Sequence, residues 1–328
     1  MSKINYVSDN IDSPKIFNFR KDIQGLRGLA VLLVVFYHSN FDFFKAGFIG
    51  VDIFFVLSGF LMAILAEKVS PIEFYTKRLK RLLPAYFVVV LVTSVAVIAL
   101  TIPVDSNQRL DRIFYDLVGL SNFAFWVENS YFDNSAFKPL LNFWSLAVEL
   151  QFYLFAPFLL PFLHKRKFLL SLVIVSSLLL SMAIITISPK TSFFMLPTRL
   201  WEFLFGAYAA WFAAKNAQNK FTSAFVLIAV CTLLAVIFLY PLPQDSLSVL
   251  TGHPSVAALT VVILTTVIIA LGLDKLFSTD SRVAKMLIRI GDYSYSIYLV
   301  HFPIIVLVNY AEFGGTRLGF NSISHLLA

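Results

Sequence analysis

An arginine and a histidine eleven residues apart, Arg27 and His38 in LRGLAVLLVVFYH, form the first pair here whose types and spacing could do chemistry. On a helix, eleven residues advance about 20° beyond three full turns, so both side chains lie on one face, about 16 Å apart along the axis. A guanidinium can hold a phosphate bidentately. An imidazole can exchange a proton near neutral pH. The pair would couple anion binding at one end of a rod to proton transfer at the other. The plainer alternative makes Arg27 an interfacial anchor and His38 a residue bonded to a backbone carbonyl. Asp42, one turn beyond His38, is placed to orient the ring.

Other polar groups sit where apolar sequence surrounds them. Asp52 in FIGVDIFFVLSGFL either pairs with an Arg or His of a neighbouring helix or caps the start of its own. In FYTKRLKRLLPAY, Lys77, Arg78 and Arg81 precede a helix predicted to start at Pro84. They serve as membrane anchors or as a cradle for a multiply phosphorylated ligand. Ser145, Glu149 and Tyr153 recur at i, i+4 and i+8, a polar stripe on a greasy helix. Glu149 has no local cation, so it is protonated, matched from another helix or in contact with water. Arg199 and Glu202, three apart, either neutralise each other or form part of a site; Ser294, Tyr298 and His301 share a further face. The lone Cys231 excludes an internal disulfide and a CxxC metal or redox pair.

The elements that must carry these groups are membrane helices. Of the 328 residues, 59 % are apolar and 14 % charged, against about 45–50 % and 25 % in soluble domains. Apolar stretches of about 20 residues, the length that crosses a bilayer, recur along the chain. The reading is an all-α, polytopic transmembrane bundle of nine spans. They begin with one from about 26 to 44, followed by 48–66, 83–102, 143–163, 168–187, 198–214, 221–240, 255–273 and 293–310. The first is expected to be retained, because it lacks the cleavage site of a signal peptide. Residues 1–22 read as a cytoplasmic tail, 23–310 as the membrane domain and 311–328 as a short outward tail. The 66–83 and 274–291 stretches read as cytoplasmic loops, and 103–142 as a long outward one.

A tenth stretch, 113–127, is short and contains Asp116 and Asn122. If it does not cross, 19 Lys and Arg residues lie inside and 6 outside, which is the bias that orients membrane proteins. It is therefore read as re-entrant or interfacial, with the N-terminus in the cytoplasm. The net charge of +7 belongs to this bias rather than to nucleic-acid binding.

In this order, the Arg27/His38 spacing, GFIGVDIFFVLSGFL, KRLKRLLPAY, NFWSLAVELQFYLFAP, LPTRLWEFLFGA and GDYSYSIYLVHFP resemble the acyltransferase 3 family of bacterial membrane O-acyltransferases. The likeness covers about residues 19–310, and its wording is nearest the branch often fused to an SGNH-type domain. Leu150 stands where that branch usually has a second Glu, and no further span or fused domain follows Ala328. The expectation is a truncated product, a fragment or a minimal member.

The resemblance implies transfer of an acetyl or similar group from cytoplasmic acetyl-CoA to a hydroxyl of a surface or lipid-linked polysaccharide, such as O-antigen, at the bacterial inner membrane. Arg27, Lys77, Arg78 and Arg81 would hold the CoA phosphates. His38 would be the base or acyl carrier, with Glu149 and Asp52 as catalytic partners. Trp144, Ser145, Tyr153, Arg199, Glu202, Tyr298 and His301 would bind or orient substrate. No metal is implied. A transporter or glycan flippase with a buried proton relay is the alternative, as is an inactive remnant.

Overall fold

In a bilayer the backbone must satisfy its own N–H and C=O groups, and an apolar chain does so as α-helix. A computed structural model describes residues 20–110, 112–127, 137–215, 223–239, 247–250, 252–254, 256–272 and 281–310, and all of its regular elements are helices. They are α1 (Lys21–His38), α2 (Gly50–Lys68), α3 (Pro71–Leu100), α4 (Pro103–Leu110), α5 (Ile113–Leu117), α6 (Ser121–Val127) and α7 (Phe143–His164). Then follow α8 (Lys167–Ile185), α9 (Pro189–Phe194), α10 (Leu196–Lys215), α11 (Ser223–Leu239), α12 (Val256–Leu271), α13 (Arg282–Asp292) and α14 (Ser294–Val308).

Among the described residues, four helices are long and apolar enough to cross a membrane: α2 with its preceding turn, α3, α7 and α8. The pair α13 and α14, bent by 75°, makes a fifth if taken as one span. The other predicted spans fall on helices that are shorter or more charged. Helix α1 carries Lys21, Asp22 and Arg27 within 18 residues, α10 carries Arg199 and Glu202, and α11 and α12 have 17 and 16 residues.

Helix α2 forms the centre of the bundle, with α10, α7, α1 and α12 against it. The crossing of α2 and α10 is set by two glycines. A Cβ on Gly59 would lie 1.8 Å from the Phe203 carbonyl oxygen, and one on Gly206 would lie 1.9 Å from that of Val56. Backbone meets backbone here, so the stacked rings of Phe55, Phe203 and Phe152 close over the contact. Gly59→Ala has no side chain to push aside. It is expected to destabilise the protein by at least the roughly 1–3 kcal/mol of an overpacked core, read as a lowered unfolding temperature in detergent.

Three local expectations change. The stretch 66–83 is not a loop, and no helix starts at Pro84: α3 runs unbroken from Pro71 through Pro84. Its start is written in Ser70-Pro71-Ile72-Glu73, where the Ser70 hydroxyl accepts from the Glu73 amide at 3.3 Å and Pro71 takes the first helical position. The 274–291 loop contains α13, held close to α1 because Gly28 faces the Leu287 carbonyl and Gly291 faces that of Gln24. Helix α1 stops at His38, with Asn40 at φ +56, so Asp42 lies in a separate short turn rather than one helical turn beyond the imidazole. The stretch 113–127 divides into α5 and α6 about Gly119 at φ +72, with Asp116 and Asn122 buried. The tails 1–19 and 311–328 lie outside the described residues.

Candidate active site

Because α3 begins a dozen residues earlier than its apolar part, Arg78 and Arg81 ride on helix rather than loop. Three residues apart, they share a face. That face looks onto Arg27 of α1, and all three guanidiniums line one cavity. The stripe on α7 completes it: Ser145, Glu149 and Tyr153 line the same space, as do Ser58 of α2 and Tyr295 and Tyr298 of α14.

Within the cavity Glu149 is the counter-ion. Its carboxylate accepts from the hydroxyls of Ser58 and Tyr153 and lies in the electrostatic reach of Arg27 and Arg78. Three guanidiniums against one carboxylate leave two positive charges, and the Nε of Arg78 is buried without a hydrogen-bond partner. That surplus suits a phosphorylated anion. The free volume is about 60 Å³, room for a few waters, so a larger ligand must displace side chains.

At its far end the cavity meets Tyr298. The Tyr298 phenol and the Ser145 hydroxyl share a hydrogen bond of 2.6 Å, and each also lies within donating reach of the Asn142 carbonyl, at 3.1 and 3.3 Å. The Tyr298 backbone carbonyl accepts from the Asn142 side-chain amide at 2.6 Å and from Nδ1 of His301 at 2.8 Å.

The last bond settles a chain of tautomers. A ring nitrogen facing a carbonyl must carry the proton, so the Nε2 of a neutral His301 is an acceptor. That Nε2 lies 3.0 Å from Nδ1 of His38, which therefore donates. With the ring also hydrogen-bonded to the Val34 backbone, this tautomer, with its lone pair on Nε2, is the one a general base needs. The two rings lie one helical turn beyond the cavity's end, and neither lines it. Phe302 covers His38 edge-on, with ring centroids 4.6 Å apart.

The remaining predicted site residues lie elsewhere. Lys77 pairs with Glu73 at 2.7 Å on the exposed side of α3, because a one-residue step turns it 100° from Arg78. Asp52 does not meet His38. Its carboxylate is fully buried against Arg199 at 2.9 Å and His253 at 3.4 Å, and Glu202 lies 3.0 Å from the same guanidinium. Trp144 is core: it packs on Phe193 and Phe194 and helps enclose Arg199.

Sequence reasoning gave no role to Ser58, Asn142 or Tyr295. Tyr295 shares a face with Tyr298 at i+3, a spacing that was available. Asn142 precedes its helix and carried no periodic signal. Among the described residues, no group of three or more His, Cys or carboxylates could hold a metal.

A family profile described as an acyltransferase domain matches residues 20–327. A Komagataeibacter xylinus protein named for an inferred membrane-bound transacylase activity, BcsY, is 32 % identical over 307 residues, covering 90 % of this chain and 75 % of its own length. The O-acetyltransferase OatA of Staphylococcus aureus is 33 % identical over 313 residues, covering 88 % of this chain and 51 % of its own length. This chain thus spans three quarters of the one and about half of the other. No solved structure gives a significant match.

Proposed function

Because this chain belongs to the acyltransferase 3 family, we propose that it moves an acetyl group from cytoplasmic acetyl-CoA to a hydroxyl of a cell-surface or lipid-linked polysaccharide. The observation that carries this reading is the placement of Arg27, Arg78 and Arg81 on one cavity that ends at the residue whose carbonyl sets the His38–His301 tautomers. The O-acetyltransferase relatives support the acyl group, and the surplus of positive charge at the arginines supports the phosphorylated donor.

In this reading the chain crosses the bacterial inner membrane nine times, with its N-terminus in the cytoplasm. The arginines hold the CoA phosphates at the cytoplasmic mouth, and Glu149 keeps them from repelling one another until the donor binds. Admitting the pantetheine arm displaces side chains around Tyr298, opening the way to His38. The Nε2 of His38 takes the proton of the attacking sugar hydroxyl. That oxygen forms the new ester bond to the acyl carbon, the C–S bond breaks, and the CoA thiolate leaves and takes up the proton. His301 holds the ring in its basic tautomer. Asp52, Arg199, Glu202 and Trp144 act outside this chemistry, as packing and ion pairing.

Membranes or proteoliposomes containing the chain, given acetyl-labelled acetyl-CoA, are expected to pass label to polysaccharide. Label remaining in acetyl-CoA despite good expression would overturn the reading in favour of a transporter. In the same assay Arg27→Ala is expected to raise the KM for acetyl-CoA about ten- to hundred-fold, the worth of one charge-assisted contact, with a smaller change in kcat. Lys77→Ala is expected to leave that KM unchanged, since its partner is Glu73. Equal effects of the two substitutions would show a diffuse positive field rather than a built phosphate site.

A further inference from the structure

A second groove with a basic lining lies apart from the candidate active site. It lies between α8 and α10 at the end where α7 finishes, and its volume is about 700 Å³, within the range of small-molecule sites. Lys167 and Lys215 stand on its rim, and Leu170 and Phe212 lie along its floor. One wall is rigid. His164 stacks on Trp211 with ring planes 4° apart and centroids 4.6 Å apart. Both rings are tied to the Glu67 carboxylate, His164 at 2.5 Å and the indole N–H at 2.6 Å.

Glu67 is thereby engaged with His164. Among the described residues, no carboxylate pairs with Lys167 or Lys215, so the rim carries two uncompensated positive charges. Below the rim, α8 turns apolar side chains outward: Phe168 is 83 % exposed, and Leu172 and Val175 are about half exposed. Such a face on a helix long and apolar enough to cross the membrane meets lipid chains. A ligand that satisfies both halves has an anionic phosphodiester at the rim and hydrocarbon continuing along α8.

We propose that this groove is a specific seat for an anionic phospholipid, with its phosphodiester between Lys167 and Lys215 and its acyl chains running down α8. A basic pocket between helices beside the stacked His164 and Trp211 rings has the charge and amphipathic character that such a headgroup requires. The proposal stands apart from the acetyl-transfer reading and does not depend on it.

The test uses the full chain, purified in mild detergent and reconstituted in nanodiscs containing phosphatidylglycerol or phosphatidylcholine, with retained lipid counted by native mass spectrometry. Wild-type protein is expected to retain phosphatidylglycerol in preference to phosphatidylcholine. The double variant Lys167→Gln, Lys215→Gln is expected to lose about twenty-five-fold in that retention, from roughly five-fold per lysine at a membrane surface. The variant Lys167→Arg, Lys215→Arg is expected to keep it.

Equal retention of the two lipids by wild-type protein would overturn the proposal even if the glutamine variant does not accumulate. So would unchanged retention in that variant, or displacement of the lipid by free CoA or glycerol phosphate at matching concentrations.

Discussion

His38→Ala is expected to abolish acetyl transfer while the protein remains in the membrane at its normal level. Losing a general base costs about 10²–10⁴ in rate. The fold should tolerate the change. His38 is the last residue of α1 and only half-buried, and its removal leaves His301 one unfilled acceptor, worth about 1–3 kcal/mol at most. Labelled acetyl transfer per unit of protein in the membrane fraction checks this, and near-normal transfer would remove His38 from the mechanism. His301→Ala is expected to fall between wild type and His38→Ala, with His301→Gln recovering part of the loss, because this ring acts only through the tautomer of the other.

Arg199→Leu is expected to do the opposite: unfold the protein rather than disable it. The guanidinium is fully buried and enclosed by Phe55, Trp144 and Phe193, with Asp52 and Glu202 against it. Two carboxylates and one guanidinium leave one negative charge, so this dry cluster holds a proton among Asp52, Glu202 and His253 to remain neutral. Removing the arginine strands both carboxylates, a loss of about 3–5 kcal/mol. Asp52→Asn keeps a hydrogen-bond acceptor and leaves Arg199 balanced by Glu202, so its effect should be clearly smaller. Unfolding temperatures in detergent rank the two variants. Arg199→Leu at the wild-type temperature but without activity would mean that the cluster belongs to the chemistry after all.

These two expectations separate groups that look alike in sequence. Asp52 and Glu149 are both lone carboxylates in apolar runs, and either could partner Arg or His. Asp52 meets Arg199, 147 residues away, in a closed cluster. Glu149 meets hydroxyls and the electrostatic field of arginines in a cavity. Lys77 and Arg78 are neighbours in sequence, yet one faces Glu73 outside while the other lines the cavity. Trp144 sits beside Ser145 but points into the aromatic core. In each case the local pattern marked a residue as unusual and left its partner open.

What could be read from one dimension was whatever a single helix carries. The apolar composition made the chain an all-helical membrane protein, and the 3.6-residue period put Ser145, Glu149 and Tyr153 on one stripe and Arg78 with Arg81 on another. The ordered motifs pointed to the family. Partner choice needed the packing. His38 and His301 are 263 positions apart, and they meet because α14 lies along α1. Asp52 reaches Arg199 because Gly59 and Gly206 let α2 and α10 touch backbone to backbone. Periodicity fixes angles around one axis. Distances between axes depend on which side chains are small enough to let two helices close, and that is a property of pairs of segments far apart in the chain.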